Sequence, residues 1–194
     1  MSLFSSSRKE TYCFKPQHKA KIMTSNETVS QNKLTQNKKL TPDKIWHRCG
    51  FKGKYSAWSF GGNADALAKL TAEGIKTATC SALIFYTLEG KQLPQTGDFN
   101  IILDSEGYAV CITKTTNVYV TDFKDVSKEH AFKEGEGNRS LEYWRSAHKK
   151  FFTEELKTIN RAFDEKMKVV CEEFEVIGLY HRITDTQSQA QNQS

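Results

Sequence analysis

Glycine, the residue that tight turns most often require, occurs only in the middle of this chain. All 11 glycines lie between Gly50 and Gly178, whereas residues 1–42 contain none and are rich in Lys, Gln, Asn and Ser. This distribution predicts a turn-rich folded domain over residues 43–182. A segment as polar as residues 1–42 buries too little apolar surface to offset its loss of chain entropy, so we expect a disordered extension. Residues 183–194 are expected to form a second disordered tail.

The positive charge of the chain is concentrated in the same N-terminal extension. The net charge is +5, yet residues 1–42 hold eight Lys or Arg and two Glu, which amounts to +6. Residues 43–194 hold the other 20 basic and 21 acidic residues and carry −1. The basic total is therefore no argument that the folded domain binds nucleic acid, because such binding needs a local basic patch.

Several classes of protein are excluded by composition. No run of 18 apolar residues is present, and residues 1–30 lack the apolar stretch of a secretory signal. The five cysteines are odd in number and include no Cys-x-x-Cys pair, which argues against a disulfide framework and a zinc site. We therefore expect a cytoplasmic protein with reduced thiols that spans no membrane and uses neither a metal nor a cofactor.

Capping residues, turns and apolar periodicity predict alternating helices and strands in the middle region. Helices are predicted after Thr41, from Asn63 to Gly74, from Ser127 through Phe132 and over Leu141–Phe163; strands are predicted to end near Phe60 and to cover Thr79–Tyr86, Phe99–Leu103, Tyr108–Val120 and Lys168–Tyr180. Several short strands with two or three helices indicate an α+β domain with a curved sheet or small barrel.

The first candidate for chemistry is Lys76, within the stretch GIKTAT at residues 74–79. Lysine supplies a cation, and the Thr79 hydroxyl is a potential nucleophile that needs a base; lysine acts as a base only when its pKa is lowered. Lys76 and Thr79 would face opposite sides of a flat strand, so their pairing requires that the strand has not begun before Thr79. The alternative is an exposed lysine beside two threonines with good strand propensity.

The second candidate is the glycine-containing loop over residues 133–140, which carries Glu134 and Glu136. Its two carboxylates could reach into a cleft, and the helix that follows would favour an anion such as phosphate at its N-terminus, beside Arg139 and Ser140. The alternative is a solvated loop in which Ser140 only caps the helix.

The third candidate is one face of the long helix, where Arg145 and His148 stand beside Trp144 and Phe152. Basic residues among aromatic rings can hold phosphates and stack bases. More commonly, such a helix packs its aromatic residues inward and leaves its cations in water, with His148 as a hydrogen-bonded core residue. A lone histidine also provides no metal-ligand set.

Taken in order, these stretches resemble the ASCH domain over residues 43–180. The motifs are WSFG (58–61), GIKTAT (74–79), LP with GD (93–98), VYVTDF (118–123), EGEGN (134–138), WR (144–145) and VVCE (169–172). The resemblance implies a PUA-like β-barrel with flanking helices and a role that involves RNA. Some members of the family are small amidohydrolases that remove the acetyl group of acetylated cytidine, and a ribonuclease activity is attributed to another.

In those amidohydrolases the catalytic set looks like a lysine, a threonine three residues later and a distant glutamate. Lys76 and Thr79 match the first two. Counting on from His130 assigns the glutamate to Glu134, whereas counting back from the long helix assigns it to Glu136, which we prefer. One departure is that Cys80 follows the threonine, where the small amidohydrolases have an arginine.

The sequence therefore predicts a hydrolase that acts on RNA or a modified nucleoside. Lys76 would act as the base or oxyanion stabiliser, Thr79 as nucleophile or hydrogen-bond donor, and Glu136 or Glu134 as the proton relay. Substrate contacts are expected from the aromatic and polar residues singled out above, which are Trp58, Phe60, Arg139, Ser140, Arg145 and His148. The alternatives are a non-catalytic RNA-binding module and an interaction domain without a nucleic-acid ligand.

Overall fold

The computed structural model describes residues 40–179, which form five helices, five strands and one short 3-10 turn. In chain order the elements are α1 (Pro42–Arg48), β1 (Ser56–Ser59), α2 (Ala64–Ala72), β2 (Ala78–Ala82), α3 (Leu83–Glu89), β3 (Phe99–Leu103), β4 (Ala109–Asp122), the 3-10 turn Phe123–Asp125, α4 (Lys128–Glu134), α5 (Leu141–Lys157) and β5 (Lys168–Leu179). Residues 40–42, assigned above to the extension, belong to the folded part, since Leu40 is buried and accepts a hydrogen bond from the Ala109 N–H group. The rest of the predicted extension and the predicted tail lie outside the described residues.

The strands form one mixed sheet in the order β1-β3-β4-β5-β2. β1 and β3 are parallel, and every other pair is antiparallel. The long pairing of β4 with β5 shifts register at Ile112/Thr113 and again at Thr115/Asn117. Such bulges bend strands and increase their twist, and the sheet curves into a half-barrel with flanking helices. The prediction of an α+β, PUA-like fold is confirmed.

The two faces of β5 belong to different parts of the core. Cys171 and its neighbour Val169 pack with α5 residues such as Trp144, whereas Phe174 lies in a cluster with Trp58 from β1 and residues of α2. This alternation follows from the two-residue repeat of a strand that is covered on both faces. α2 packs against the face that carries Phe174, and α4 packs against the face that carries Cys171.

The predicted strand Thr79–Tyr86 is wrong beyond Ala82. β2 ends there and α3 follows, closed by Gly90 in the left-handed conformation at φ 61°. A short apolar run such as LIFYTL fits a strand and a buried helical turn equally well, so periodicity could not separate them.

The long helix is also shorter than predicted, ending at Lys157 and not at Phe163. The chain turns because Asn160 adopts a left-handed φ of 54° and the Arg161 N–H group donates to the Leu156 carbonyl, as in a Schellman-type stop. β3 matches its predicted bounds, and β4 and α4 lie within two residues of theirs.

None of the helices between residues 40 and 179 combines the length and the apolar character that a bilayer crossing requires.

Candidate active site

Lys76 lies in a short connection that folds back over the end of α2. Gly74 leaves the helix at a left-handed φ of 70°, and the N–H groups of Ile75 and Lys76 both donate to the Leu70 carbonyl, at 2.9 and 3.0 Å. This turn directs the Lys76 side chain inward, and the residue is only 1% exposed. The lysine is therefore a core residue, and the alternative of a solvated lysine is excluded.

The end of α4 is attached to the same connection. The Lys133 carbonyl accepts hydrogen bonds from the N–H group of Thr77 and, at 3.1 Å, from its hydroxyl. Gly135 closes α4 at φ 72°, and a Cβ there would lie 2.5 Å from the Ile75 carbonyl oxygen. Only glycine lets the two backbones approach this closely. The approach brings Glu134, the last helical residue, against Lys76.

The Lys76 ammonium contacts both loop carboxylates. Its Nζ lies 2.8 Å from Glu134 Oε2 and also hydrogen-bonds Glu136 Oε1. The two glutamates differ in exposure, since the Glu134 side chain is 1% exposed and that of Glu136 is 23% exposed. We call these three residues the Lys76 cluster. Both assignments of the glutamate that the sequence left open lead to this one ammonium.

The second oxygen of Glu134 is enclosed by donors from α4 and α5. Glu134 Oε1 accepts from the Trp144 indole N–H at 2.7 Å, and it lies 3.4 Å from His130 Nε2 and 3.5 Å from His148 Nε2. His148 Nδ1 lies 3.1 Å from the Trp144 carbonyl, which can only accept. Glu134 Oε1 thus faces one indole N–H group and two imidazole rings.

The mutual attraction in the cluster sets its ionisation. Burial lowers the pKa of Lys76, but the carboxylates of Glu134 and Glu136 outweigh burial and raise the pKa to about 12. Burial conversely raises the pKa of Glu134, and the charges of Lys76 and His148 overcome it, holding that pKa well below the usual value. Lys76 is thus a fixed cation at neutral pH, and the lowered pKa that a general base would need is not present.

His130 is a member of this network that sequence reasoning missed. Burial lowers its pKa, but the neighbouring Cys171 and Glu134 side chains raise it to about 10, and its Nδ1 lies 3.1 Å from the Tyr119 hydroxyl. A protonated His130 places a further cation beside Glu134. The four-residue spacing of His130 and Glu134 on α4 was the available signal, because side chains at i and i+4 share a helix face.

Thr79 occupies the second position of β2, directly opposite Glu172 of β5. Both residues are buried, with 2% and 1% exposure. Because β2 begins at Ala78, the condition that the strand has not begun before Thr79 is not met. Residues paired directly across strands share a face of the sheet, so Thr79 shares the face of Glu172 and Phe174, opposite that of Cys80.

The two predicted aromatic contacts are both buried, and Phe60 is the one that lies beside the Lys76 ammonium. The Phe60 ring centroid lies 6.0 Å from Lys76 Nζ, which places this ring beside the cluster. Trp58 packs edge-on against Phe60 in the core, is 3% exposed and donates its indole N–H to Asn100 Oδ1 at 2.7 Å. Phe60 is therefore the aromatic wall of the candidate site, and Trp58 supports it from behind.

The predicted polar contacts are also divided. Arg139 donates to the Ile75 carbonyl at 3.3 Å and so lies next to the cluster. Ser140 caps α5 by accepting the Tyr143 N–H at 3.1 Å. Arg145 is exposed, donates to the Lys124 carbonyl at 2.8 Å and lines a separate cavity. The proposed basic and aromatic helix face is thus not one surface, because His148 is turned toward Glu134 and Arg145 is not.

Among residues 40–179, no group of three His, Cys, Asp or Glu side chains is arranged to hold a metal ion.

The chain has solved structural relatives. The family model described as ASCH domain matches residues 56–178. The crystal structure of an ASCH domain from Lactobacillus crispatus is 34% identical with a TM-score of 0.62, covering 64% of this chain and 80% of that one. A protein of Enterococcus faecalis is 35% identical with a TM-score of 0.64, covering 71% of this chain and 86% of that one. No curated protein matches the sequence. Since a family model matches more than half of its length, this chain belongs to the ASCH domain family.

Proposed function

We propose that the Lys76 cluster is the catalytic centre of a hydrolase that removes an acyl group from an acetylated cytidine, as a nucleoside or within RNA. The observation that carries the proposal is a buried ammonium held between two carboxylates of unequal exposure, beside an aromatic ring. The choice of substrate rests on the resemblance of Lys76, Thr79 and the loop glutamates to the catalytic set of the small amidohydrolases.

Lys76 would polarise the amide carbonyl. Its raised pKa keeps it positively charged, and 1% exposure keeps water from screening that charge. When a nucleophile attacks the carbonyl carbon, negative charge develops on the oxygen, and a cation already fixed in place stabilises it without reorganisation. This assigns Lys76 to oxyanion stabilisation and leaves proton transfer to another group.

Glu136 is the better placed of the two glutamates for proton transfer. Glu134 is fully buried, and both of its oxygens are held by donors. Glu136 contacts the same ammonium but keeps 23% of its side chain exposed, so an incoming substrate can reach it. It would accept a proton from the attacking water as the C–O bond forms. It would then return that proton to the amine as the C–N bond breaks.

The test is the release of acetate from acetylated cytidine, supplied as the nucleoside and within a short RNA. We expect Glu136→Gln to lower kcat/KM by roughly 10²-fold or more, as for loss of a general base, and Lys76→Met by roughly 10²- to 10³-fold, as for loss of an oxyanion donor. Lys69→Met is the matched control, because the Lys69 side chain is 75% exposed. Undiminished activity in correctly folded Lys76→Met and Glu136→Gln proteins would refute this mechanism.

A binding module without chemistry is the second candidate. It is favoured by the burial of Lys76, whose ammonium is already hydrogen-bonded to both glutamates. In that case RNA would bind without any product, and affinity would fall steeply with salt if phosphate contacts dominate. Turnover of the nucleoside by wild-type protein would decide against this candidate.

A further inference from the structure

The loop that carries Glu136 is bordered by two exposed aromatic side chains. Phe132 on α4 is 57% exposed and Tyr143 on α5 is 42% exposed, two of the four large hydrophobic residues exposed between residues 40 and 179. Large apolar side chains are rarely left in water in numbers unless they contact a partner. Their position on either side of one loop therefore needs an explanation.

The same loop contains an arginine with an unusual backbone conformation. Arg139 adopts a left-handed φ of 62°, which costs a residue with a Cβ on the order of 1 kcal/mol or more. Its Cζ lies 4.9 Å from the centre of the Phe132 ring, and it donates to the Ile75 carbonyl. Within the described part of the chain, no carboxylate lies within 4.0 Å of this guanidinium. The Arg139 guanidinium, which lies over an aromatic ring, is thereby left available to an anion.

Tyr143 is held by the opposite side of the loop. Gly137 has a φ of 54°, and a Cβ at this position would lie 2.5 Å from atoms of the Tyr143 ring. The loop backbone therefore lies directly on the ring. Loop residues 135–139 thus connect three features: Tyr143, the Arg139–Phe132 stack and Glu136 of the Lys76 cluster.

We propose that Phe132, Arg139 and Tyr143 form a subsite for single-stranded RNA next to the Lys76 cluster. Arg139 pairs with a backbone phosphate, and the two rings stack on bases that flank the one bound at the cluster. This inference rests on the proposed function, and it specifies the substrate as an RNA strand in preference to a free nucleoside.

The chemistry of the three side chains favours this ligand. Unpaired bases stack on exposed aromatic rings and on guanidinium planes, and arginine binds phosphate through two parallel donors. The net charge of the folded part is close to zero, so we expect stacking to supply much of the affinity. Each stacked base is expected to strengthen binding roughly five- to 150-fold.

The experiment compares two ligands across three variants. An unstructured eight-nucleotide RNA with one acetylated cytidine is titrated against wild type, Phe132→Leu, Tyr143→Leu and Arg139→Asn, and turnover of free acetylated cytidine is measured in parallel. Asn is chosen because it tolerates the left-handed conformation. We expect each variant to weaken RNA binding at least five-fold. Phe132→Leu and Tyr143→Leu should also leave nucleoside turnover within two-fold. Arg139→Asn should also reduce the slope of log affinity against log salt by about 1.

Two exposed residues elsewhere serve as controls, namely Leu88→Ala, with the same 57% exposure as Phe132, and Arg161→Asn. Unchanged RNA affinity in the three variants would overturn the subsite, and so would equal losses with RNA and nucleoside in Phe132→Leu and Tyr143→Leu. Failure of wild-type protein to bind the RNA would do so as well and would assign the surface to another ligand. If the variants weaken RNA binding while wild type turns over neither substrate, the hydrolase proposal fails and the subsite stands.

Discussion

Replacement of Lys76 by methionine tests the electrostatic description of the cluster most directly. Methionine is unbranched and similar in length, so it fills most of the space while removing the charge. Glu134 is then left 1% exposed without the ammonium that lay 2.8 Å from its Oε2. Removing one partner of a buried ion pair is typically costly, about 3–5 kcal/mol, because the other charge stays buried.

The magnitude for this protein follows from the alternative open to Glu134, which is to take up a proton. Its ordinary pKa is 4.5. At 1.36 kcal/mol per pH unit, protonating it at pH 7 costs about 3 kcal/mol, and at pH 5 less than about 1 kcal/mol. Because Trp144, His130 and His148 still face Glu134 Oε1, these costs are upper limits. We therefore expect Lys76→Met to lower the free energy of unfolding by up to about 3 kcal/mol at pH 7 and by up to about 1 kcal/mol at pH 5.

The assay is urea unfolding followed by tryptophan fluorescence at both pH values, since Trp144 lies in the network itself. Adding Glu134→Gln to Lys76→Met removes the stranded carboxylate and should recover about 2 kcal/mol at pH 7, although Glu134→Gln alone is destabilising. Lys69→Met controls for loss of an exposed lysine. A Lys76→Met loss that is equal at pH 5 and pH 7, or a double variant no more stable than Lys76→Met, would refute the reasoning.

Two further predictions concern the elements that build the site. Gly135→Ala should lower the free energy of unfolding by about 2 kcal/mol or more, because it combines a left-handed φ with a Cβ 2.5 Å from the Ile75 oxygen. Gly90→Ala, which has a φ of 61° and open space around the new Cβ, should lower it by only about 1 kcal/mol. Equal losses in urea unfolding would contradict the close approach of the two backbones. The lowered pKa of Glu134 in the folded state means that stability is present above pH 4.5 and is lost as the pH falls below it. Urea unfolding between pH 6 and pH 3.5 should therefore show a shallower acid loss in Glu134→Gln than in wild type, and parallel curves would contradict it.

The location of the elements was largely predictable where a local signal is strong. Ser127 and Ser140 were predicted to cap α4 and α5, and both accept the expected backbone N–H groups. The short apolar run after Ala82 carried no such signal, because its helical state is decided by packing and by Gly90. The end of α5 depended on the left-handed conformation of Asn160, which other residue types adopt less readily and which composition alone does not reveal.

Some features of the candidate site were also predictable from the sequence, whereas others depend on packing. Lys76 and the loop glutamates were identified from the order of the motifs. Counting residues could not choose between Glu134 and Glu136, because the choice depends on where each side chain points and how deeply it is buried. The structure brings both to one ammonium and separates them by exposure. The contribution of His130 was missed because its burial against Glu134 and Tyr119 results from packing between α4 and the sheet.

By itself, the sequence determined the turn-rich domain, the order of its elements and the residue types capable of chemistry, because these depend on local backbone preferences and composition. The tertiary structure alone decided that Lys76 is a buried, permanently charged ion and that Arg139 has no carboxylate beside it among residues 40–179. Ionisation and pairing depend on distance and on exclusion of water. Both are set by residues some 60 positions apart that meet only because Gly135 lets two backbones come into contact.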